Sequence, residues 1–246
     1  MPASSFLHRR SAIWRCTLII CAAWLTSCHI ESRIVADKED GSILVLGDSV
    51  MEWNKEEDAA IADVIAAELG RAVVNAGVSG ARLSMPEDEA NLGALGFDIR
   101  AQYRARGWEW VVMDGGANDL GDECGCGQCA ATLNEMIGAD GLTGQYPDFV
   151  RSVRADGSRV LLMGYYAAPQ GADTAFTPCI DELTALNDRL AQMAAALDGV
   201  YYASATEAID PADRTHYDRD LVHPSAEGSR LIGLQLAQAI RAAEGE

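Results

Sequence analysis

Short apolar runs alternate with longer stretches of helical periodicity along most of this chain. Each run is brief and rich in aliphatic and β-branched residues, which is typical of a strand buried on both faces of a parallel sheet. Strands that alternate with helices predict an α/β fold whose sheet is covered by helices on both faces. The five predicted strands are Ser42–Leu46, Ala72–Asn75, Glu109–Met113, Arg159–Met163 and Val200–Tyr202.

The intervening stretches place apolar residues three and four positions apart and are predicted as helices. Gly70 is predicted to end the first of them. We see no internal repeat and no low-complexity linker, so residues 42–246 are predicted to form one domain. The predicted helices cover residues 56–69, 88–105, 130–154, 180–197 and 225–242.

Residues 1–27 are predicted to be a signal peptide. Three arginines precede an apolar run that is too short to span a bilayer comfortably. The following Leu-Thr-Ser-Cys resembles the lipobox of bacterial lipoprotein precursors, which implies that Cys28 is lipidated. Residues 28–41 would then tether the domain to the cell envelope, at the outer membrane or in the periplasm of a double-membraned cell. A plain signal peptide and an uncleaved anchor are the alternatives.

The chain is strongly acidic, with 19 basic and 37 acidic residues and a net charge of −18. Without the three arginines of residues 1–27, 16 basic residues remain and the balance is −21. Such a field repels nucleic acid and anionic lipid surfaces. We therefore expect no nucleic-acid partner and contact with membrane only through the N-terminal anchor, while the charge says nothing about neutral substrates.

The first predicted strand ends abruptly in Gly47-Asp48-Ser49. Ligands of open α/β sheets bind outside the carboxyl ends of the strands, so Ser49 is predicted to face the binding crevice. A serine hydroxyl in such a place is a candidate nucleophile once a neighbouring base removes its proton. The alternative is an ordinary turn or helix N-cap, in which these residue types are common.

His223 is the candidate base. The mature chain holds two other histidines, of which His29 lies next to Cys28 and His216 lies in a polar run. Asp220 precedes His223 by three residues, so one turn can bring its carboxylate to the imidazole and stabilise the imidazolium that forms. No G-x-S-x-G sequence is present. The alternative is that His223 caps the last helix and that Asp220 is a surface charge.

Four sequence blocks carry these residues in order: Gly47-Asp48-Ser49, Asn75–Gly80, Gly116–Asp119 and Asp220–His223. Together they resemble the blocks of the SGNH (GDSL-type) hydrolase family of esterases, lipases and thioesterases. The resemblance implies a flavodoxin-like three-layer α/β sandwich and Ser-His-Asp hydrolysis of carboxylic esters through an acyl-enzyme. The small number of histidines gives no support for metal-dependent hydrolysis, and we expect no metal and no cofactor.

By the same resemblance, the oxyanion hole consists of the backbone N–H of Ser49, the backbone N–H of Gly80 and the side-chain amide of Asn118. Gly77 is the alternative to Gly80, and either glycine can be a simple turn residue. Asn118 can instead form an Asx turn with its own backbone. Asp119 is predicted to orient the loop that carries Asn118.

The chain departs from the family in two places. Val50–Trp53 follows the candidate nucleophile where many members carry Leu-Ser, so the floor of the pocket is expected to differ. Four cysteines lie near the predicted rim of the site, and an exported chain favours disulfides, with a four-cysteine zinc site as the rival. We hypothesise that the bridges shape the acyl or alcohol pocket. The two pairings that remain open are Cys124–Cys129 with Cys126–Cys179, and Cys126–Cys129 with Cys124–Cys179.

Aromatic side chains at strand ends are more often core than ligand contacts. Tyr165 and Trp53 are nevertheless candidates for lining a substrate cleft, while Trp108, Trp110 and Tyr166 are expected mainly in the core.

The sequence therefore predicts an envelope-anchored serine esterase, expected as a monomer, that acts on a small-molecule, lipid or carbohydrate ester. A lysophospholipase, a thioesterase and a carbohydrate O-deacetylase fit these residues equally well. The alternative from another class is a catalytically inert binding protein on the same scaffold.

Overall fold

The computed structural model of the chain describes residues 42–85, 93 and 95–245. The predicted signal peptide, Cys28 and the tether at 28–41 lie outside the described residues. Within those residues, none of the helices combines the length and the apolar character needed to cross a bilayer.

All five predicted strands are present within two residues of their predicted ends, and they form one parallel sheet in the order β2-β1-β3-β4-β5. This order is that of flavodoxin-like sheets, so the predicted fold class is confirmed. The central strands are almost wholly buried, which explains their continuous apolar runs. The strands are β1 (Ile43–Leu46), β2 (Val73–Asn75), β3 (Trp110–Met113), β4 (Arg159–Gly164) and β5 (Val200–Ser204).

Helices cover both faces of the sheet. The described helices are α1 (Ser49–Glu52), α2 (Ile61–Leu69), α3 (Ile99–Gln102), α4 (Ala117–Cys124), α5 (Ala130–Met136), α6 (Gln145–Ala155), α7 (Ile180–Ala196) and α8 (Ala226–Glu244). Helices α2 and α8 pack against each other so closely that a Cβ atom on Gly233 would lie 2.5 Å from the Cβ of Val64. Helices α6 and α7 pack against β4, and α7 also packs against β5.

Two helix predictions were close, and one was right only at its end. Helices α7 and α8 match their predicted ranges within two residues. Helix α2 ends at Gly70, as predicted, but it begins at Ile61 rather than at residue 56. The residues before it form turns because Asn54 and Asp58 adopt positive φ angles of 62° and 53°.

Two other helix predictions were wrong in extent. Within the predicted helix at 88–105, the described helix is the short α3, which begins where the side chain of Asp98 caps Arg100 N–H. Residues 86–92 and 94 lie outside the described residues. The predicted helix at 130–154 is split into α5 and α6 by a loop in which Gly141 and Gly144 have φ angles of 69° and 107°.

A buried pair of carboxyl groups joins the carboxyl ends of β1 and β3. Asp114 Oδ1 accepts a hydrogen bond of 2.9 Å from Asp48 N–H. The Asp48 carboxylate in turn accepts bonds of 2.9 Å from Val50 N–H, which caps α1, and of 2.5 Å from the Tyr165 hydroxyl. Only glycine fits at position 47, because a Cβ atom there would lie 1.8 Å from Asp114 Oδ1.

Burial raises the pKa of both the Asp48 and the Asp114 carboxyls, and the neighbouring charge of Asp48 raises the pKa of Asp114 further. Hydrogen bonds from Tyr165 and Val50 favour the ionised form of Asp48. Asp114 Oδ2, in contrast, has no hydrogen-bond partner among the described residues. Asp114 is therefore the member of the pair that retains its proton.

This pair predicts a specific dependence of stability on pH. Folding raises the pKa of Asp114. Below the pKa of about 3.9 that this carboxyl has in the unfolded chain, it is protonated in both states and does not lower the free energy of unfolding. The free energy of unfolding then falls as the pH rises towards the folded-state pKa. An asparagine side chain cannot ionise, so we expect Asp114→Asn to become progressively more stable relative to the wild type from pH 4 to pH 7, by up to about 1.4 kcal/mol per pH unit.

Urea unfolding at four pH values between 4 and 7 measures this difference. Asp173→Asn changes an exposed aspartate and is the matched control, which should leave the pH dependence of the wild type unaltered. A stability difference between Asp114→Asn and the wild type that stays constant over this range would contradict the assignment.

Candidate active site

Three side chains far apart in the sequence form one chain of hydrogen bonds. Ser49 begins helix α1, directly after β1, and its Oγ lies 2.8 Å from His223 Nε2. The other imidazole nitrogen, His223 Nδ1, lies 2.5 Å from Asp220 Oδ2. The structure thus brings together the predicted nucleophile, base and carboxylate in the arrangement that proton transfer from a serine requires.

Local hydrogen bonds shape the turn that carries Asp220 and His223. Asp220 Oδ1 accepts bonds of 2.9 Å from Val222 N–H and 3.0 Å from His223 N–H, which leaves Oδ2 for the imidazole. Across the turn, Asp218 N–H donates to the carbonyl of His223 at 2.9 Å. Burial acts to raise the pKa of Asp220, but the hydrogen bonds from the side chain and backbone of His223 outweigh it and lower the pKa.

Gly80 fits the role of a backbone donor better than Gly77. Gly80 is exposed, has a φ of 78°, and its N–H has no acceptor within the described part of the chain. The N–H of Gly77 already donates to Asn75 Oδ1 at 3.0 Å. Glu52 on α1 accepts bonds from the N–H and hydroxyl of Ser79, which fastens the Gly80 loop to the helix that begins with Ser49.

Asn118 lies in the first turn of helix α4 and not in the loop that the sequence predicted. Its side-chain amide donates to the carbonyl of Ala81 at 2.9 Å, rather than forming an Asx turn with its own backbone. Asn118 and Ser49 line the same pocket. A second N–H of the Asn118 amide group remains for a ligand.

Asp119 connects the block that carries Asn118 to the block that carries Gly80. It is fully buried, and its two oxygens accept bonds of 3.0 Å from Leu83 N–H and of 2.7 Å from Ser84 N–H. The Ser84 hydroxyl donates to the same carboxylate at 2.8 Å. These contacts agree with the orienting role that the sequence predicted for Asp119.

Trp53 and Asp218 are neighbours of His223 that sequence reasoning did not assign to it. The indole of Trp53 stacks on the imidazole with ring centroids 3.7 Å apart and planes inclined by 7°. Its Nε1–H donates to Asp218 Oδ2 at 2.8 Å. The spacing of four residues between Ser49 and Trp53 was the available signal, since it places both on one turn of helix.

An apolar pocket of about 560 Å³, counting its open mouth, adjoins Ser49. Leu183 is 9% exposed and Ile180 is 43% exposed, so the wall runs from the core to the surface. Tyr165 lines the pocket, as predicted, and so does Tyr166, which was expected mainly in the core. Trp108 and Trp110 are buried core residues, as expected. The lining is completed by Asp48, Val50, Ala117, Asn118, Ala168, Thr174, Phe176, Leu221 and Val222.

Two disulfides link the cysteines near the site, Cys124–Cys129 and Cys126–Cys179. This is the first of the two pairings that the sequence left open, and it engages all four sulfur atoms. Cys179 immediately precedes Ile180, which lines the apolar pocket. The second bridge therefore ties the loop after α4 to the pocket wall. Among the described residues, no cluster of three or more histidine, cysteine or carboxylate side chains could hold a metal ion.

Comparison with known proteins shows the fold and the family of the chain. None of the curated protein sequences compared with the chain matches it. Among solved structures, a protein of Slackia heliotrinireducens described as an SGNH hydrolase is 24% identical, with a TM-score of 0.53 over 82% of this chain and 100% of that chain.

A GDSL-like lipase of Bacteroides thetaiotaomicron is 18% identical, with a TM-score of 0.58 over 85% of this chain and 93% of that one. A carbohydrate esterase family 2 enzyme of Myceliophthora fergusii is also 18% identical, with a TM-score of 0.59 over 86% of this chain and 69% of the other. At these identities the similarity establishes the fold alone. The family model of the GDSL-like lipases and acylhydrolases matches residues 45–231, and the chain belongs to that family of ester hydrolases.

Proposed function

We propose that this GDSL-family enzyme hydrolyses carboxylic esters with Ser49 as nucleophile, His223 as general base and Asp220 as the carboxylate that orients the imidazole. The observation that carries the proposal is the unbroken hydrogen-bond chain from Ser49 Oγ through His223 to Asp220. Its ends are held by different elements, the first turn of α1 and the turn before α8.

In this mechanism, His223 Nε2 takes the hydroxyl proton as Ser49 Oγ attacks the ester carbonyl. The lowered pKa of Asp220 keeps its carboxylate ionised next to the imidazolium that forms. The proton then passes to the leaving alcohol, and an acyl-enzyme remains. Water, deprotonated by His223, then attacks the acyl group. The bond between the acyl carbon and Ser49 Oγ breaks, the carboxylic acid leaves, and the proton from His223 restores the hydroxyl.

Negative charge develops on the carbonyl oxygen during both steps. The N–H of Ser49, in the first turn of α1, has no partner within its own helix. The N–H of Gly80 is exposed, and one N–H of the Asn118 amide group is not used by Ala81. We propose that these three groups form the oxyanion hole, because preorganised donors of this kind usually contribute the largest single share of catalysis.

The first prediction concerns the nucleophile. The wild type should react covalently with a fluorophosphonate probe and hydrolyse p-nitrophenyl esters, whereas Ser49→Ala should do neither, because it lacks the hydroxyl. His223→Ala should lose labelling as well, while its matched control His216→Ala should retain it, since His216 contacts Asp210 and Asp213 instead. Absence of labelling in folded wild-type protein would favour the inert binding protein.

The second prediction concerns the oxyanion hole. Asn118→Ala should lower kcat about 100- to 1000-fold with little change in KM, because the lost donor acts mainly on the transition state. Asn134→Ala, on the exposed side of α5, is the matched control and should retain wild-type kcat. Steady-state kinetics on a p-nitrophenyl ester measures both variants. An Asn118→Ala variant with unchanged kcat would remove Asn118 from the proposed site.

We further propose that the apolar pocket holds the acyl group of the substrate and that the disulfide from Cys179 positions its wall. Each methylene buried there stabilises the complex by about 0.8 kcal/mol, so longer acyl chains should be favoured over acetyl. This favours lipid-like acyl esters over the O-acetyl esters that a carbohydrate deacetylase cleaves.

The third prediction tests this substrate class. The wild type should hydrolyse p-nitrophenyl hexanoate with a kcat/KM about tenfold or more above that for the acetate. Ile180→Trp, which narrows the mouth of the pocket, should remove this preference and spare acetate hydrolysis. Asp181→Trp, the exposed neighbouring position, is the control and should keep the preference. A wild type that prefers acetate would instead indicate an O-acetyl esterase.

A further inference from the structure

Trp53 contacts both the helix of the nucleophile and the imidazole. Its backbone N–H closes α1 by donating to the carbonyl of Ser49 at 2.9 Å. Its indole lies flat against His223, with centroids 3.7 Å apart and planes within 7° of parallel. One short turn of chain therefore presents the hydroxyl to one edge of the imidazole and an aromatic surface to its face.

The same indole is held by Asp218, which lies across the turn from His223. Trp53 Nε1–H donates to Asp218 Oδ2 at 2.8 Å, and Asp218 N–H donates to the His223 carbonyl at 2.9 Å. Asn54, the next residue, donates to the carbonyl of Pro224 at 3.1 Å. Trp53 and Asn54 thus hold the turn on both sides of His223.

We infer that Trp53, held by Asp218, is a positioning residue that orients the His223 imidazole and stabilises its protonated form by a cation–π contact. An aromatic face carries negative charge density and attracts a cation stacked on it. The carboxylate that accepts the indole N–H increases the electron density of the ring and therefore this attraction. The inference rests on the proposed function, in which His223 becomes an imidazolium during each turnover.

Three carboxylates also act on His223, and each comes from a different place in the fold. Asp220 bonds to the imidazole from its own turn, Asp218 lies across that turn, and Asp48 acts from the buried end of β1. All three favour the imidazolium. Trp53→Leu and Trp53→Phe both keep the three carboxylates and both lose the indole N–H that Asp218 accepts, so the difference between these two variants isolates the contribution of the aromatic face.

Two substitutions of Trp53 separate the effect of its aromatic face from the effect of its bulk. Trp53→Leu keeps apolar cover over His223 but removes the π face, and it should lower kcat about 3- to 30-fold with KM changed less than about twofold. The acidic limb of the kcat/KM profile should move to lower pH, because the imidazolium is less favoured. Trp53→Phe restores the face and should recover most of kcat and the position of the limb.

Two further variants control for packing. Trp108→Phe changes a buried tryptophan whose Nε1–H donates to the Arg104 carbonyl, and it should alter stability without altering the pH profile. Asp218→Asn retains the stack, but it weakens the indole hydrogen bond and also removes one carboxylate charge near His223, so it should shift the limb in the same direction without separating the two causes. If Trp53→Leu fails to fold, Trp53→Met, which also keeps apolar cover without a π face, replaces it in the comparison with Trp53→Phe.

A measurement without turnover separates this inference from the proposed function. In the Ser49→Ala background, the titration midpoint of the His223 ring protons, followed by NMR, should be lower with Trp53→Leu than with Trp53→Phe. Equal midpoints and equal kcat for the two variants would overturn the inference while leaving the esterase intact. A shifted midpoint in a chain that hydrolyses no ester would support the contact and overturn only the proposed function.

Discussion

The site depends on one buried hydrogen bond between neighbouring strand ends, from Asp48 N–H to Asp114 Oδ1. In the order β2-β1-β3-β4-β5, β1 and β3 are adjacent and their connections diverge, which opens a crevice at their carboxyl ends. The bond closes the floor of that crevice. Ser49 follows Asp48 and Asn118 follows Asp114, so this one hydrogen bond fixes the strand ends that carry the candidate nucleophile and the candidate oxyanion donor.

Buried strands and helices leave different marks in the sequence, which explains why the predicted strands were right and some helices were wrong in extent or not predicted. A strand buried on both faces leaves a continuous apolar run, and no distant contact is needed to recognise it. Helix α4 leaves no such mark, because its sequence from Ala117 to Cys124 contains Asn, Gly and three acidic residues that are more typical of a turn. Tertiary contacts determine this helix: Leu120 is fully buried, and Asp119 bonds to Leu83 and Ser84 in another loop.

The disulfides act where the apolar core is thin. The loop between α4 and α5 contains two exposed glycines and the exposed Gln128, so burial alone contributes little to holding it. The bridge from Cys126 to Cys179 joins residues 53 positions apart and ends beside Ile180. A cross-link of this kind restricts the unfolded chain more than a local one, whereas Cys124–Cys129 closes only a short loop. The long bridge also ends next to the pocket, which is why we propose that it positions the pocket wall.

The Asp-x-x-His block specifies the shape of its turn but not its place in the molecule. Asp220 bonds to the backbone N–H groups of Val222 and His223, and these contacts are local enough for the sequence pattern to predict them. Long-range contacts place this turn over Ser49. Trp53 bonds to Asp218, which is 165 positions away, and stacks on His223. Asn54 bonds to Pro224, which is 170 positions away. No local sequence pattern can predict contacts between residues so far apart in the chain. The Val50–Trp53 segment departs from the family motif, and its last residue, Trp53, is the one that stacks on the His223 imidazole.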